Sequence, residues 1–345
     1  MITPSSLVGI SLVLATSLLT GCNNLPTHLT HRPANSMATL PSSTVAPLQH
    51  AYDYRLIDSK TQQLLTVKQL ASQLEKQDVI FIGEFHGNHA SHLLEMQLMA
   101  ALYALRPLQT LSMEMFNRDQ QPILNRYLDS EIGEDFLINE TPTWGNYAGS
   151  YRPLVEFAKQ NFIPVIAANA SADIVRCIGR QGVAYLDKLS TEERFLIASK
   201  PFTDNAEYRQ RYMDFLANAR QLTAESKENS YLAQLTRDNT MAESIYQAWL
   251  ENPQAQILHI TGSFHSENHL GTVAALKNLN PALKIAVLSP QIVEDPTRPN
   301  YSAEDLKKGD FIYLLQGQPE QYLNAAYKHQ ARKSLFSKAE QAPCL

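Results

Sequence analysis

The sequence predicts an α/β fold: a mostly parallel central sheet flanked by helices, with a helical cap inserted over it. Three observations carry this. Six short apolar runs bounded by turns show little alternation, as in strands covered on both faces. Helical patterns lie between several of them, and strand–helix alternation favours crossover connections in a parallel sheet. The stretch 187–252 breaks that rhythm with consecutive helical patterns and reads as the cap.

Taken in order, Tyr52 to Val67 alternates around Asp58-Ser59-Lys60 and predicts a small hairpin, followed by a short helix over Val67 to Lys76. The apolar runs are Val79–Gly83, Thr110–Met115, Ile163–Ala168, Gln256–Gly262, Leu283–Ser289 and Phe311–Leu315. Helical patterns cover His89–Leu105, Arg152–Asn161 and Glu267–Leu279. In parallel sheets of this kind ligands bind outside the carboxyl ends of the strands, so chemistry is sought there.

Composition narrows the function classes. With 345 residues, 44% hydrophobic and 18% charged, the chain can bury a sizeable core, which excludes global disorder. Lys and Arg number 29 against 34 Asp and Glu, a net charge of −5, so nothing points to nucleic acid. Three cysteines cannot staple a chain of this length. Leu7 to Gly21 is an uncharged apolar run, too short for a comfortable permanent span and suited to a signal-peptide core. It ends in Leu19-Thr20-Gly21-Cys22, which resembles the bacterial lipobox and predicts a lipid on Cys22. Met1 to Ser6 carries no Lys or Arg, a departure from the usual pattern. The expected division is therefore a signal peptide over 1–21, a Pro-, Ser- and Thr-rich flexible tether over 22–50 and the α/β domain over 51–345. Export to an oxidising compartment would permit Cys177 and Cys344 to pair, which the sequence leaves open.

Three strand ends concentrate reactive side chains. Gly83-Glu84-Phe85-His86 follows the run VIFI, with His89 and His92 opening the next helix. Gly262-Ser263-Phe264-His265 follows ILHIT and repeats the spacing of glycine, two residues, histidine. Glu114 interrupts the end of a third strand, where a carboxylate is costly unless paired or ligated. A carboxylate and an imidazole two residues apart, as Glu84 and His86 are, can ligate one metal or share a proton, and two such strand ends side by side would bring His86 and His265 into one crevice. His259, inside an apolar run, reads as core.

The motifs VIFIGEFH, MEMFNRDQQPIL, the TW..Y segment at Thr143–Tyr147, PLVEFAKQNFIPVIAANA, RDNTMA and ILHITGSFH together resemble the ChaN-like haem-binding lipoproteins over most of Asp78 to Leu276. The wider group includes TIKI/TraB-type proteins and erythromycin esterases. The resemblance implies an outer-membrane lipoprotein of haem and iron uptake. It also implies haem iron bound through tyrosine, with His and Lys near the propionates, in a pocket at a homodimer interface. Two tyrosine pairs are candidates for the ligand: Tyr208 and Tyr212, one helical turn apart with Arg209 and Arg211 between, and Tyr147 and Tyr151 beside Trp144 and Arg152. Lys200 is a candidate propionate partner, and a phenolate suits ferric haem. The alternative is a metal-dependent peptidase or esterase built on the paired G-x-x-H motifs: the likeness to TIKI-type relatives implies a divalent metal held by His86 and His265 with Glu84 as ligand or base, and that to erythromycin esterases implies that Glu84, His86, Glu114 and His265 activate water.

Overall fold

The computed structural model describes residues 45–141, 144–217 and 222–344. Thr143, the expected signal peptide, Cys22 and most of the expected tether lie outside the described residues. In chain order the elements are β1 (Tyr54–Asp58), β2 (Leu64–Leu65), α1 (Val67–Leu74), β3 (Val79–Glu84), α2 (His89–Leu105), β4 (Gln109–Asn117), α3 (Gln121–Leu128), α4 (Glu134–Glu140), α5 (Tyr147–Ser150), α6 (Arg152–Gln160), β5 (Val165–Asn169) and α7 (Ala172–Gln181). After these come α8 (Thr191–Arg194), α9 (Ala206–Phe215), α10 (Ala224–Glu251), β6 (Gln256–Gly262), α11 (Thr272–Leu279), β7 (Ile285–Ile292), β8 (Phe311–Leu315) and α12 (Ala325–Gln341).

The eight strands form one sheet in the order β2-β1-β8-β7-β3-β6-β4-β5. The β1–β2 hairpin is antiparallel and joins β8 antiparallel; every other pairing is parallel, so the mostly parallel sheet and the hairpin are both present. β3 lies at the centre with β6 and β7 on its two sides, which makes its carboxyl end a natural crevice.

Strand alternation assigns side chains to two faces. Ile80, Ile82, Met113, Met115, Leu258 and Ile260 pack with α1, α2 and α6 residues such as Leu70, Leu94, Leu98 and Leu154. Val79, Phe81, Ile257 and Val287 pack instead against Ala242, Ile245 and Ala248 of α10 and Val273 and Leu276 of α11. The second half of α10 is therefore a sheet-covering helix, although it falls within the stretch 187–252 expected to form the cap. α3, α4, α5, α7 and α12 are additional to the helices expected from sequence.

Chain packing also begins upstream of Ala51. Leu48 is buried with Ile57, Val293, Ile312 and Leu314, and its N–H donates to the carbonyl of Pro296 at 2.8 Å. At the other edge of the sheet, Gln121 closes part of β5: its Nε2 donates to the Val165 carbonyl at 2.9 Å and its Oε1 accepts from the Ala167 N–H at 2.7 Å. A side-chain amide thus takes the place of a neighbouring strand. Cys177 in α7 and Cys344 near the C-terminus form a disulfide, which answers the pairing question the sequence left open.

Candidate functional site

Alternation explains why the reactive residues divide. Glu84 shares a face of β3 with Ile80 and Ile82, so it points toward α2 and α6. Glu114 alternates with Met113 and Met115, so it points to the opposite face, toward α10. His86, two residues beyond Glu84, stands between the two where β3 has ended.

On the α2 side, Glu84 is fully buried and pairs with Nδ1 of His86. Its Oε1 accepts from the Tyr151 hydroxyl at 2.7 Å, and its Oε2 lies 3.1 Å from Nδ1 of His92. The same His92 nitrogen is 3.1 Å from Oε2 of Glu95, one turn along α2. His92 Nε2 accepts from the backbone N–H of Gly87 at 3.0 Å. That bond fixes the tautomer, because a backbone N–H can only donate and so the imidazole proton sits on Nδ1 between the two carboxylates. For the same reason Glu84, His92 and Glu95 do not suit a cation despite their proximity: His92 has no lone pair to turn toward one.

Charges in this triad are unequal. Burial pushes Glu95 up to about 8, and the Glu84 carboxylate adds to the effect, so Glu95 holds a proton near neutrality. Burial opposes ionisation of Glu84 as well, but the charge of His86 and the hydrogen bonds from His86 and His92 hold Glu84 well below the usual carboxylate range.

On the α10 side, Oε2 of Glu114 accepts from the Thr261 hydroxyl and the Gly262 N–H, each at 2.7 Å. Burial disfavours its charge, yet His265, His86 and these two donors bring the carboxyl down to about 2. Nδ1 of His265 donates to Oδ1 of Asp238 at 2.7 Å. Asp238, on α10, is buried and also accepts from the Tyr208 hydroxyl and the Thr272 hydroxyl, both at 2.8 Å. Nε2 of His265 lies 3.5 Å and Nε2 of His86 lies 4.0 Å from the same Glu114 Oε1.

The two G-x-x-H motifs therefore do meet, as expected, because β3 and β6 are paired neighbours with Glu84 opposite Gly262. Gly262 is required by the approach: a Cβ there would sit 2.7 Å from His86 Nε2. The geometry differs from the expected ligand set in one respect. Glu84 lies behind His86 as its Nδ1 acceptor, and Glu114 is the carboxylate that both Nε2 atoms face. Two Nε2 atoms and one carboxylate oxygen, each imidazole backed by a carboxylate, are donor types that suit a divalent cation, but among the described residues only Glu84, His92 and Glu95 bring three ligand atoms within 4.8 Å of one another. A cavity of ≈ 490 Å³ opens beside His86, lined by Trp144, Asn146, His89 and Gln318 among others.

The tyrosine candidates are all buried. Tyr151 donates to Glu84 and Tyr208 to Asp238, so both support carboxylates of the site. Burial raises the hydroxyls of Tyr147 and, with Glu84 beside it, Tyr151 above their ordinary value. Tyr212 is 8% exposed, and its hydroxyl bonds Ser230 Oγ at 2.7 Å. It belongs to an aromatic cluster with Tyr208, Tyr231, Phe215 and Phe264, the last of which immediately precedes His265. Of the remaining candidates, Lys200 is exposed, His89 stacks on Tyr52, and His259 is core, bonded to Ser112 at 2.9 Å. Asp238 and Glu95 were not singled out in the sequence. Asp238 lies within RDNTMA, and Glu95 sits three residues from His92, the spacing at which helical neighbours meet.

Among solved structures, ChaN of Campylobacter jejuni, described with cofacial haem binding, is similar with a TM-score of 0.56 and 20% identity over 79% of this chain and 100% of that one. A mutant of the erythromycin esterase EreC in its open conformation is similar at a TM-score of 0.43 and 10% identity, over 81% and 87% of the two chains. The type III effector HopBA1 follows at 0.42 and 12%, over 79% and 100%. No curated protein matches the chain. The sequence profile described as "Haem-binding uptake, Tiki superfamily, ChaN" matches residues 70–276, well over half of the chain, and the chain belongs to that family.

Proposed function

We propose that the protein is a haem-binding lipoprotein of the bacterial outer membrane, held by a lipid on Cys22 and taking part in haem and iron uptake, with haem iron bound through a tyrosine. The observation that carries this reading, beside family membership, is the aromatic cluster of the cap. Tyr212, Phe215 and Phe264 form one aromatic group next to His265, of which Phe215 is exposed, Phe264 half-buried and Tyr212 buried. Haem is a flat apolar ligand with anionic edges, and phenols, aromatic faces and nearby cations are the groups that fit it. Of the four tyrosines, Tyr212, the most exposed of them at 8%, is the proposed ligand. Tyr151 and Tyr208 are engaged with buried carboxylates, and Tyr147 is packed in the core with Phe116. Lys200, exposed at the start of the cap, is the proposed propionate partner, and a second copy of the chain would cover the outer face of the haem.

Hemin titration of the protein should give a saturable ferric spectrum of the tyrosinate type. Tyr212→Phe should abolish its charge-transfer band while the fold is kept. A spectrum unchanged by Tyr212→Phe removes Tyr212 as ligand, and no saturable spectrum at all removes the haem reading.

A second reading rests on the convergence of His86 Nε2 and His265 Nε2 on Glu114. A divalent metal held there would supply an activated water, and the protein would be a hydrolase of peptides or esters. In that reading Glu84 and Asp238 orient the two imidazoles through Nδ1, Thr261 and Gly262 hold Glu114, and the cavity beside His86 receives the substrate. Metal analysis decides: His265→Ala should release a bound divalent ion, and purified protein free of metal and without hydrolytic activity rejects it.

A further inference from the structure

The cavity beside His86 differs in chemistry from the buried acids behind it. Among the described residues that line it there is no Asp, Glu, Lys or Arg. Its polar groups are amides and imidazoles, and the largely buried Trp144 supplies one wall. An ion that left water for such a lining would meet no counter-charge to offset its desolvation, so the cavity favours a neutral ligand.

Hydrogen bonds around the cavity determine what its amides can still offer. Gln316 Nε2 donates to the carbonyl of Leu48 at 2.9 Å, and Gln318 Nε2 donates to the carbonyl of His86 at 3.0 Å. A carbonyl only accepts, so the two amides are fixed in orientation, and each Oε1 has no partner among the described residues. Asn146 follows the same pattern: Nδ2 donates to Ser150 Oγ at 3.3 Å and Oδ1 stays open. Gly87, with a φ of +80°, makes room between them, since a Cβ there would lie 3.1 Å from Gln318 Nε2. The start of α2 provides no seat for an anion. Asn88 Oδ1 already accepts from the N–H groups of Ala90 and Ser91, and His92 takes that of Gly87.

Three open amide oxygens call for a ligand that brings its own donors. A hydroxyl does so, and it can also accept from an imidazole or amide N–H. An ammonium group would donate as well, but no carboxylate lines the cavity to balance it. Trp144, edge-on to His86 at 4.6 Å between ring centroids, adds an apolar surface for the C–H face of a ring.

We propose that the cavity beside His86 binds an uncharged, hydroxyl-rich ligand of the sugar class, its hydroxyls on Gln316, Gln318 and Asn146 and one ring face on Trp144. The inference rests on the hydrolase reading in taking this cavity as the substrate site, and it names the substrate class of that site. It also sets the cavity apart from the haem site proposed on the cap, because the carboxylates of haem would meet carbonyl oxygens here.

Full-length protein carrying Trp249→Phe keeps Trp144 as its only tryptophan, and its emission reports on the cavity. It is titrated with maltotriose, with tri-N-acetylchitotriose and, as a charged counterpart, with trigalacturonate. A neutral trisaccharide should shift the emission saturably, and trigalacturonate should not. Gln318→Ala removes one open acceptor and should weaken binding about fivefold to tenfold, with circular dichroism checking that the fold is kept. The proposal is overturned if neither neutral trisaccharide binds, if trigalacturonate binds equally well, or if Gln316→Ala and Gln318→Ala together leave the affinity unchanged. Tighter binding of acetyl-trialanine amide than of both sugars also overturns it, and would make the cavity a peptide site. The hydrolase reading fails separately: protein free of metal and without hydrolytic activity that still binds a neutral trisaccharide rejects that reading and keeps the ligand class. A divalent ion released by His265→Ala, with no sugar bound, does the reverse.

Discussion

His86 is the residue through which the two halves of the site communicate, and its neighbours leave it little freedom. Nδ1 is held by Glu84 on one face of the sheet, and Nε2 faces Glu114 from the other. Gly262 makes room for the ring. A methyl at that position would lie 2.7 Å from Nε2 and 3.0 Å from Cε1, so Gly262→Ala must push the imidazole off its two carboxylates. The expected cost is about 2 kcal/mol, from strain and a weakened buried pair, with loss of whatever ligand the site holds. Chemical denaturation and metal or hemin binding measure both. The buried acids make a sharper contrast. Glu95 holds a proton near neutrality, so Glu95→Gln replaces one neutral donor–acceptor by another and should change stability by less than about 1 kcal/mol. Glu84→Gln removes a charge that two histidines are arranged around and should cost about 3 kcal/mol. Equal effects of the two substitutions would contradict the assignment of charges. Glycine, spacing and strand end made His86, His265 and Glu114 legible in the sequence. Asp238 and Glu95 were not, because an acid inside a helix looks solvated until packing shows which face is covered. Nor could aromatic spacing tell where a hydroxyl points: Tyr151 and Tyr208 serve Glu84 and Asp238 in preference to the surface.

Elements were easier to read than their roles. Every apolar run became a strand, since strands buried on both faces need continuous Val, Ile, Leu and Phe. The boundary of the cap was less visible: α10 runs unbroken for 28 residues, with half its length over the sheet, and periodicity does not register a change of partner. The short helix α3 carries a side chain whose purpose belongs to the sheet. Gln121 occupies two backbone groups of β5 at an otherwise open edge, so Gln121→Ala should cost roughly 1–2 kcal/mol and expose a strand edge. Lower stability together with concentration-dependent association, seen by light scattering, is the expected outcome; unchanged association would mean the edge is protected by its other neighbours. The disulfide acts at the same scale. It closes a sequence separation of 167 residues, and loop closure of that size is worth about 5 kcal/mol at most by the chain-entropy account. Cys344→Ser should lower the melting temperature by several degrees and remove the effect of a reductant. A melting temperature equally sensitive to reductant in wild type and variant would contradict a bond between Cys177 and Cys344.

At the scale of the whole molecule, the buried ionisable groups set how stability depends on pH, and they act on two sides. Glu114 ionises at about 2 in the folded chain against an ordinary 4.5. Its contribution, about 3 kcal/mol, is complete above pH 4.5 and is lost as pH falls toward 2, because the unfolded chain takes the proton first. Burial lowers His259 from 6.5 to about 3, so below pH 6.5 the unfolded state gains a proton that the folded state refuses, and acid again favours unfolding. Glu95 works in the opposite sense. The folded chain keeps its proton up to about 8 while the unfolded chain releases it near 4.5, so stability declines as pH rises through that interval. His86 and His265, both raised by their carboxylate neighbours against the pull of burial, likewise contribute below their unfolded value of 6.5 and are lost as pH climbs past their folded ones. The melting temperature should therefore peak at about pH 5 to 6.5 and fall on both sides. Glu95→Gln should flatten the alkaline limb and leave the acid limb unchanged, whereas Glu114→Gln should lower the whole curve and flatten the acid limb. A scan of melting temperature against pH for the three proteins checks this, and a single monotonic limb in the wild type would show that the charge assignments on the two faces of the sheet are wrong.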